Sequence, residues 1–154
     1  MRVESSGIVE GRLLDKYGKR GARENGTGMP TLSFPLSIVD APKDTKSFAI
    51  IFDDPDSVAV CGFTWIHWLC VTTKNTLVEN ASVIDSSLIQ GENSWDKSVY
   101  GGMAPPDRPH TYVCKVYALD YVPNLLDGFT MKNLLEATNN HILAECKIEG
   151  LYDN

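Results

Sequence analysis

Ser47-Phe48-Ala49-Ile50-Ile51-Phe52, closed by Asp53-Asp54-Pro55-Asp56, is the stretch on which the fold turns. From Phe48 the run is apolar at odd and even positions alike, so a strand here must be covered on both faces, as a central strand is. Two further runs offer themselves as neighbours. Trp65 to Val71 is also apolar on both parities, with His67 as its one polar member. Regular alternation puts Trp65, His67 and Leu69 on one face and Ile66, Trp68 and Cys70 on the other. Thr111 to Leu119 makes a third strand, and period two sets His110, Tyr112 and Cys114 on a common face.

Nearer the carboxyl end, Ile142, Ala144, Cys146 and Ile148 alternate with Leu143, Glu145, Lys147 and Glu149, the pattern of a half-exposed strand. Between them Thr130 is placed to cap a helix running through Lys132, Leu134, Leu135 and Ala137, with Asn139-Asn140 as its stop. This is the one well-supported helix. The balance of elements predicts a mainly β fold built on an antiparallel sheet. Gly101-Gly102 and Pro105-Pro106 punctuate the approach to His110, which predicts a stiff turn whose backbone comes close to a ligand.

The chain has 154 residues, 43% of them apolar, which suits a single domain over 1–154 with a real core. Lys and Arg total 14 against 20 Asp and Glu, for a net charge of −6, so no nucleic-acid partner is expected. Arg12, Lys16, Lys19, Arg20 and Arg23 do gather in one Gly-containing stretch, where the ordinary reading is a solvated loop. No apolar leader opens the chain and no run is long enough to span a bilayer, so a soluble, cytoplasmic protein is expected. Cys61, Cys70, Cys114 and Cys146 show no zinc-site spacing and read as reduced thiols. Asn25-Gly26-Thr27 and Asn80-Ala81-Ser82 match the glycosylation pattern, and without an export signal they read as chance matches.

Three segments then carry the chemistry: Asp54-Pro55-Asp56, Trp65-Ile66-His67-Trp68, and Ala104-Pro105-Pro106 leading to His110-Thr111-Tyr112. Strand ends fix side chains while loops bring distant stretches together, so these describe a small polar pocket on a β scaffold. An anion needs donors, and His67, His110 and Tyr112 supply them. Asp54 and Asp56 would repel it unless one of them charges a neighbouring imidazole or holds a proton through burial. Each piece also has a plainer reading. His67 alone is as well explained as a satisfied core histidine, Asp-Pro-Asp as a side-chain-capped turn, and His141 as structural.

The order DPD, then W-x-H-W, then a Gly-rich stretch with A-P-P and H-x-Y before an apolar strand resembles the phosphatidylethanolamine-binding protein family, which includes Raf kinase inhibitor protein. Its small bacterial members are the nearest in pattern. Pro35-Leu36-Ser37, Thr45 to Ala49, Gln90 to Ser94, His141 to Glu145 and Gly150-Leu151-Tyr152 extend the likeness over most of the chain. The resemblance implies a large central antiparallel sheet, a second smaller sheet and one or two short helices. It implies a shallow anion pocket with Asp54, Asp56, His67, His110 and Tyr112 as its polar groups and Ala104 and Pro105 as its backbone wall. No catalytic residue, cofactor or metal is implied. The expected ligand is a small phosphate or carboxylate group, as on a phospholipid headgroup or phosphorylated metabolite; a kinase or protease as inhibited partner, and a homodimer, follow by analogy. Two departures stand out: Ser57-Val58-Ala59-Val60 follows where the family has a Pro two residues after its second Asp, and Ala104 replaces Gly or Cys.

The main rival is an enzyme. Asp54-Pro55-Asp56-Ser57-Val58 after an apolar strand matches the D-x-D-x-[TV] pattern of haloacid-dehalogenase-like Mg²⁺-dependent phosphatases, in which Asp54 would attack phosphorus and Asp56 would move protons. That class needs a parallel sheet with several crossover helices, and the sequence offers one. A P-loop is excluded, because Gly11 to Gly18-Lys19 has the wrong spacing and Arg20 stands where Ser or Thr is required. Cys61, close in sequence to His67, remains as a candidate reactive thiol.

Overall fold

The computed structural model describes residues 1–21 and 28–154. Arg23 and the Asn25-Gly26-Thr27 sequon lie outside the described residues. In chain order the strands are β1 (Arg2–Glu4), β2 (Ile8–Val9), β3 (Arg12–Leu13), β4 (Leu36–Val39), β5 (Ser47–Asp54), β6 (Trp65–Thr72), β7 (Thr76–Leu77), β8 (Ile89–Gly91), β9 (His110–Leu119) and β10 (Ile142–Tyr152). The helices are α1 (Val58–Cys61), α2 (Ala81–Ile84) and α3 (Met131–Thr138).

Two sheets result. The large one has seven strands in the order β2-β3-β10-β9-β5-β6-β8, and the small one runs β1-β4-β7. Every pairing inside the large sheet is antiparallel except the single β10–β3 contact, where Leu151 meets Arg12 in parallel. The mainly β architecture expected from the sequence is therefore present. The parallel sheet and crossover helices that a haloacid-dehalogenase-like phosphatase requires are replaced by antiparallel neighbours on both sides of β5.

The apolar run that decides the fold is buried throughout, Ser47 to Asp54, because it is covered on both faces. On one side Phe48, Ile50 and Phe52 join Trp68, Cys70, Cys114 and Val116 against Val3, Leu36, Ile38 and Leu77 of the small sheet. On the other, Ala49, Ile51, Leu69 and Val71 lie under Phe129 and Leu134. The second layer is α3, where the Thr130 side chain accepts from Asn133 N and the Asn133 side chain returns to Thr130 N, a full capping box. α1 and α2 are one-turn helices that the hydrophobic pattern does not announce.

The strand β6 departs from the alternation expected of it. Phe52 pairs with Trp68, but Asp53 pairs with Ile66, so His67 is an extra residue opposite no partner, a β-bulge. From Trp68 onward the even positions face the small sheet; upstream of the bulge the parity reverses. Ile66 therefore packs with Leu69 on the α3 side, while the His67 ring lies against Phe52 and Tyr112 on the opposite side. The grouping of Trp65, His67 and Leu69 on one face is corrected accordingly: Leu69 parts from the other two.

The basic stretch also resolves. Arg12 pairs with Asp153, Lys16 with Glu79 and Arg20 with Asp15, and Lys19 donates to the Pro105 carbonyl. These four cations are engaged by their own chain. Among the described residues no helix is long and apolar enough to cross a membrane.

Candidate functional site

At one end of the large sheet a hollow of about 170 Å³ is lined by Asp54, Ser57, Val60, Cys61, Trp65, His67, Trp95, Ala104, Pro106, His110 and Tyr112. Each strand delivers its share by position. Asp54 ends β5 one residue beyond Asp53, so the two carboxylates leave the strand on opposite faces. Asp53 goes to Lys115, whose Nζ donates to it at 2.6 Å. Asp54 goes to the hollow and caps the 3₁₀ turn Pro55–Ser57 through Ser57 N at 3.2 Å. Two residues apart on β9, His110 and Tyr112 share a face as the period-two pattern expects.

His67 is held from two directions. Its carbonyl accepts from Gly101 N at 2.8 Å, and its Nδ1 donates to the Gly101 carbonyl at 2.7 Å. The ring is 3% exposed and sits edge-on to Trp95 and Tyr112, with centroids 5.2 and 5.1 Å away. Burial pushes the pKa of His67 down to about 4, against weaker upward pulls from the Gly101 carbonyl and the Asp54 charge. The ring is neutral at pH 7, its Nδ1 protonated and its Nε2 left as an acceptor.

His110 is the opposite case. Its Nδ1 lies 2.7 Å from Asp54 Oδ2 and its Nε2 lies 2.8 Å from Asp107 Oδ1. Burial works against charge here, but the two carboxylate bonds outweigh it and the pKa moves up. Both ring nitrogens face acceptors, the arrangement of an imidazolium. Two histidines in one hollow are thus driven apart, one towards neutrality and one towards charge. Tyr112, 1% exposed, has a hydroxyl with no hydrogen-bond partner among the described residues, and burial followed by the Asp54 charge holds its proton on well above the ordinary range.

Two of the expected site residues stand elsewhere. Asp56 does not line the hollow. Its carboxylate accepts from Thr111 N at 2.8 Å and from Arg108 Nη2 at 3.1 Å, and the Thr111 bond, with Arg108 behind it, holds the Asp56 pKa below the usual carboxylate range. Its work is to fasten the start of β9 to the turn after β5. Asp56→Ala is expected to lower stability by about 1–3 kcal/mol, the range for lost charge-assisted bonds. Urea midpoints at constant m-value measure it. Pro105 is buried behind the wall while Ala104 and Pro106 line it. The Gly101-Gly102 backbone approaches its own chain and not the hollow: a Cβ on Gly101 would meet the Trp95 ring at 2.5 Å, and one on Gly102 the Tyr17 carbonyl at 2.3 Å.

Trp95 lines the hollow without having been singled out in the sequence, whereas Trp65 belongs to a segment that the sequence placed there. Trp95 is carried by a loop that Asn93 organises, its Oδ1 accepting from Trp95 N at 2.9 Å and its Nδ2 donating to the Val99 carbonyl at 2.7 Å. Ser94 fixes that loop beside the bulge, with Ile66 N donating to Ser94 Oγ at 2.9 Å and Ser94 N to the Ile66 carbonyl at 2.9 Å. Where the family pattern has a proline, Val58 opens α1, whose Val60 and Cys61 form one side of the mouth. The Trp65 ring packs between Phe63, stacked at 5.6 Å, and Trp95, edge-on at 5.1 Å, and its Nε1 is buried without a partner. His141 is remote from all this, paired with Asp120 and lying 4.1 Å from the Tyr121 ring.

All four thiols are free; Cys61 is exposed, while Cys70 and Cys114 are buried and burial pushes both pKa values up. No group of three or more His, Cys, Asp or Glu is set to hold a metal among the described residues. The hollow is therefore an aromatic-walled box with a neutral imidazole, a second imidazole set between two carboxylates and two unsatisfied donors.

The family model described as phosphatidylethanolamine-binding protein matches residues 4–153. YxkA of Bacillus subtilis (strain 168) is 39% identical over 155 residues, covering 90% of this chain and 92% of its own. The crystal structure of a phosphatidylethanolamine-binding protein homologue from Chlamydia trachomatis superposes with a TM-score of 0.84 at 33% identity, covering 99% of this chain and 97% of that one. YbcL of E. coli, described as a member of the mammalian PEBP family, gives a TM-score of 0.82 at 27% identity over 99% of this chain and 98% of its own.

Proposed function

This chain belongs to the phosphatidylethanolamine-binding protein family, and on that premise we propose that it is a non-catalytic binding protein whose hollow takes a compact oxyanion. The ligand group is a phosphate or carboxylate, as carried by a phospholipid headgroup or a phosphorylated metabolite. Asp54, His67, His110 and Tyr112 are its polar contacts, with Ala104, Pro106, Trp65 and Trp95 as walls. Asp56 and Pro105 support these from behind.

The observation that carries this reading is the pair of orphaned donors. Among the described residues Tyr112 Oη and Trp65 Nε1 are buried without partners, and both residues line the same hollow. Buried polar groups are paired in the great majority of cases, so two orphans at one concavity point to a missing acceptor. The volume of about 170 Å³ is below the 300–1,000 Å³ usual for drug-sized ligands. It suits a headgroup and not an acyl chain.

Calorimetry with phosphoethanolamine and inorganic phosphate tests the assignment. Tyr112→Phe is expected to weaken binding about 10- to 100-fold, the range for a hydrogen bond to a charged group, while leaving stability unchanged because the hydroxyl had no partner to lose. His67→Ala is expected to weaken it as well. Unchanged affinity in both variants retires the site.

A second reading concerns the rim. Val58, Val60 and Phe63 are each about half exposed beside the mouth, which favours a protein partner, a kinase or protease inhibited by contact. Phe63→Asp with the hollow intact separates this from headgroup binding.

A further inference from the structure

We infer that the hollow binds its oxyanion together with one proton, so that of two ligands alike in shape it selects the one that brings its own. This deepens the oxyanion reading and rests on it.

The Gly101 carbonyl can only accept, so His67 Nδ1 carries a hydrogen. In the neutral ring the second nitrogen, Nε2, then presents a lone pair. An oxyanion set against that lone pair is repelled unless a proton lies between them. The charges facing the site offer no surplus to offset a dianion. Asp54 from β5 and the protonated His110 from β9 cancel within their own 2.7 Å contact. Behind His110 stand Asp107, and then Arg108 with Asp56, which also cancel in part. Tyr112 from β9 and Cys61 from α1 complete the facing groups, and neither a phenol nor a thiol can bring a positive charge. Among the described residues no lysine lines the hollow.

The proton has two possible sources, the imidazole or the ligand. Charging His67 works against its burial, with a pKa pushed down to about 4. A phosphate monoester loses its second proton only near pH 6 and so supplies the hydrogen itself. A sulfate monoester of the same shape carries no proton at either pH used below and must draw it onto His67.

The experiment compares phosphoethanolamine with ethanolamine O-sulfate by calorimetry at pH 5 and pH 7. With a ring pKa of about 4 and a ligand pKa near 6, the phosphate ester is expected to bind about tenfold tighter at pH 5 and about a hundredfold tighter at pH 7. In buffers of differing ionisation enthalpy at pH 5, the sulfate ester is expected to take up close to one proton and the phosphate ester close to none. His67→Gln, whose amide presents either a donor or an acceptor, should bring the ratio towards one. If that variant does not fold, the comparison on the native protein still decides. Affinities within twofold at both pH values, or sulfate-ester binding without proton uptake, overturn the inference while leaving the oxyanion reading in place. Binding of neither ester overturns both.

Discussion

Between pH 6.5 and pH 4 the protein is expected to lose about 3 kcal/mol of stability through His67 alone, a loss absent from His67→Gln. The imidazole titrates near 6.5 in the unfolded chain, and its folded pKa is pushed down to about 4 by burial among Phe52, Trp95 and Tyr112. Across that window the unfolded state binds the extra proton, so stability falls as pH falls, by about 1.4 kcal/mol per pH unit at full slope. His110 works in the other direction. Its folded pKa is raised, so its contribution is whole below the unfolded value of about 6.5 and fades as pH rises through the folded one. The two histidines therefore impose opposite slopes on either side of neutrality. Urea denaturation at pH 7, 5.5 and 4 of the native protein and His67→Gln isolates the first of them. Parallel pH dependences in the two proteins would refute the buried neutral ring.

Phe52→Ala is expected to cost about 3–5 kcal/mol, and a Tm lowered by roughly 10–15 °C, because it empties the place where core and site meet. Phe52 is 1% exposed. Its ring lies 5.0 Å from Phe34 edge-on, 5.8 Å from Tyr100 stacked, 5.5 Å from His67 and 5.9 Å from Tyr112. Such pairs add about 0.5–1.5 kcal/mol each beyond the buried area. The same truncation at Phe63, half exposed and stacked on Trp65 beside the mouth, is expected to cost under about 1 kcal/mol. Differential scanning calorimetry of the two variants gives the comparison. Equal losses would mean that the hollow floor is not the keystone of the large sheet.

Much of this was legible before folding. The run from Phe48 to Phe52 announced a strand covered twice, and it sits between β9 and β6 with the small sheet on one side and α3 on the other. Thr130 and Asn139 marked both ends of α3. The spacing of His110 and Tyr112 placed them together, and resemblance to known sequences supplied the second sheet. What the sequence concealed were departures from periodicity. A bulge has no residue signature in Trp65-Ile66-His67-Trp68, so the facing of this strand could be read only by assuming regularity. Asp54 and Asp56 are near neighbours that look equivalent, yet the 3₁₀ turn between them sends one to His110 and the other to Thr111 N. Trp95 was one residue past a stretch already singled out, Gln90 to Ser94, and its signal was Asn93, a turn former two residues ahead of an aromatic. Asp107, three residues before His110, went unremarked because its partner lay across a proline.

The bulge makes the pocket separable from its scaffold. His67 occupies no rung of the ladder between β5 and β6: Phe52 is opposite Trp68 and Asp53 opposite Ile66. Excising this one residue would let the two strands zip into unbroken register, Ile66 still towards α3 and Trp65 still towards the small sheet. The ladder would stay whole, while the hollow would lose, along with the imidazole, the two bonds that hold Gly101 behind it.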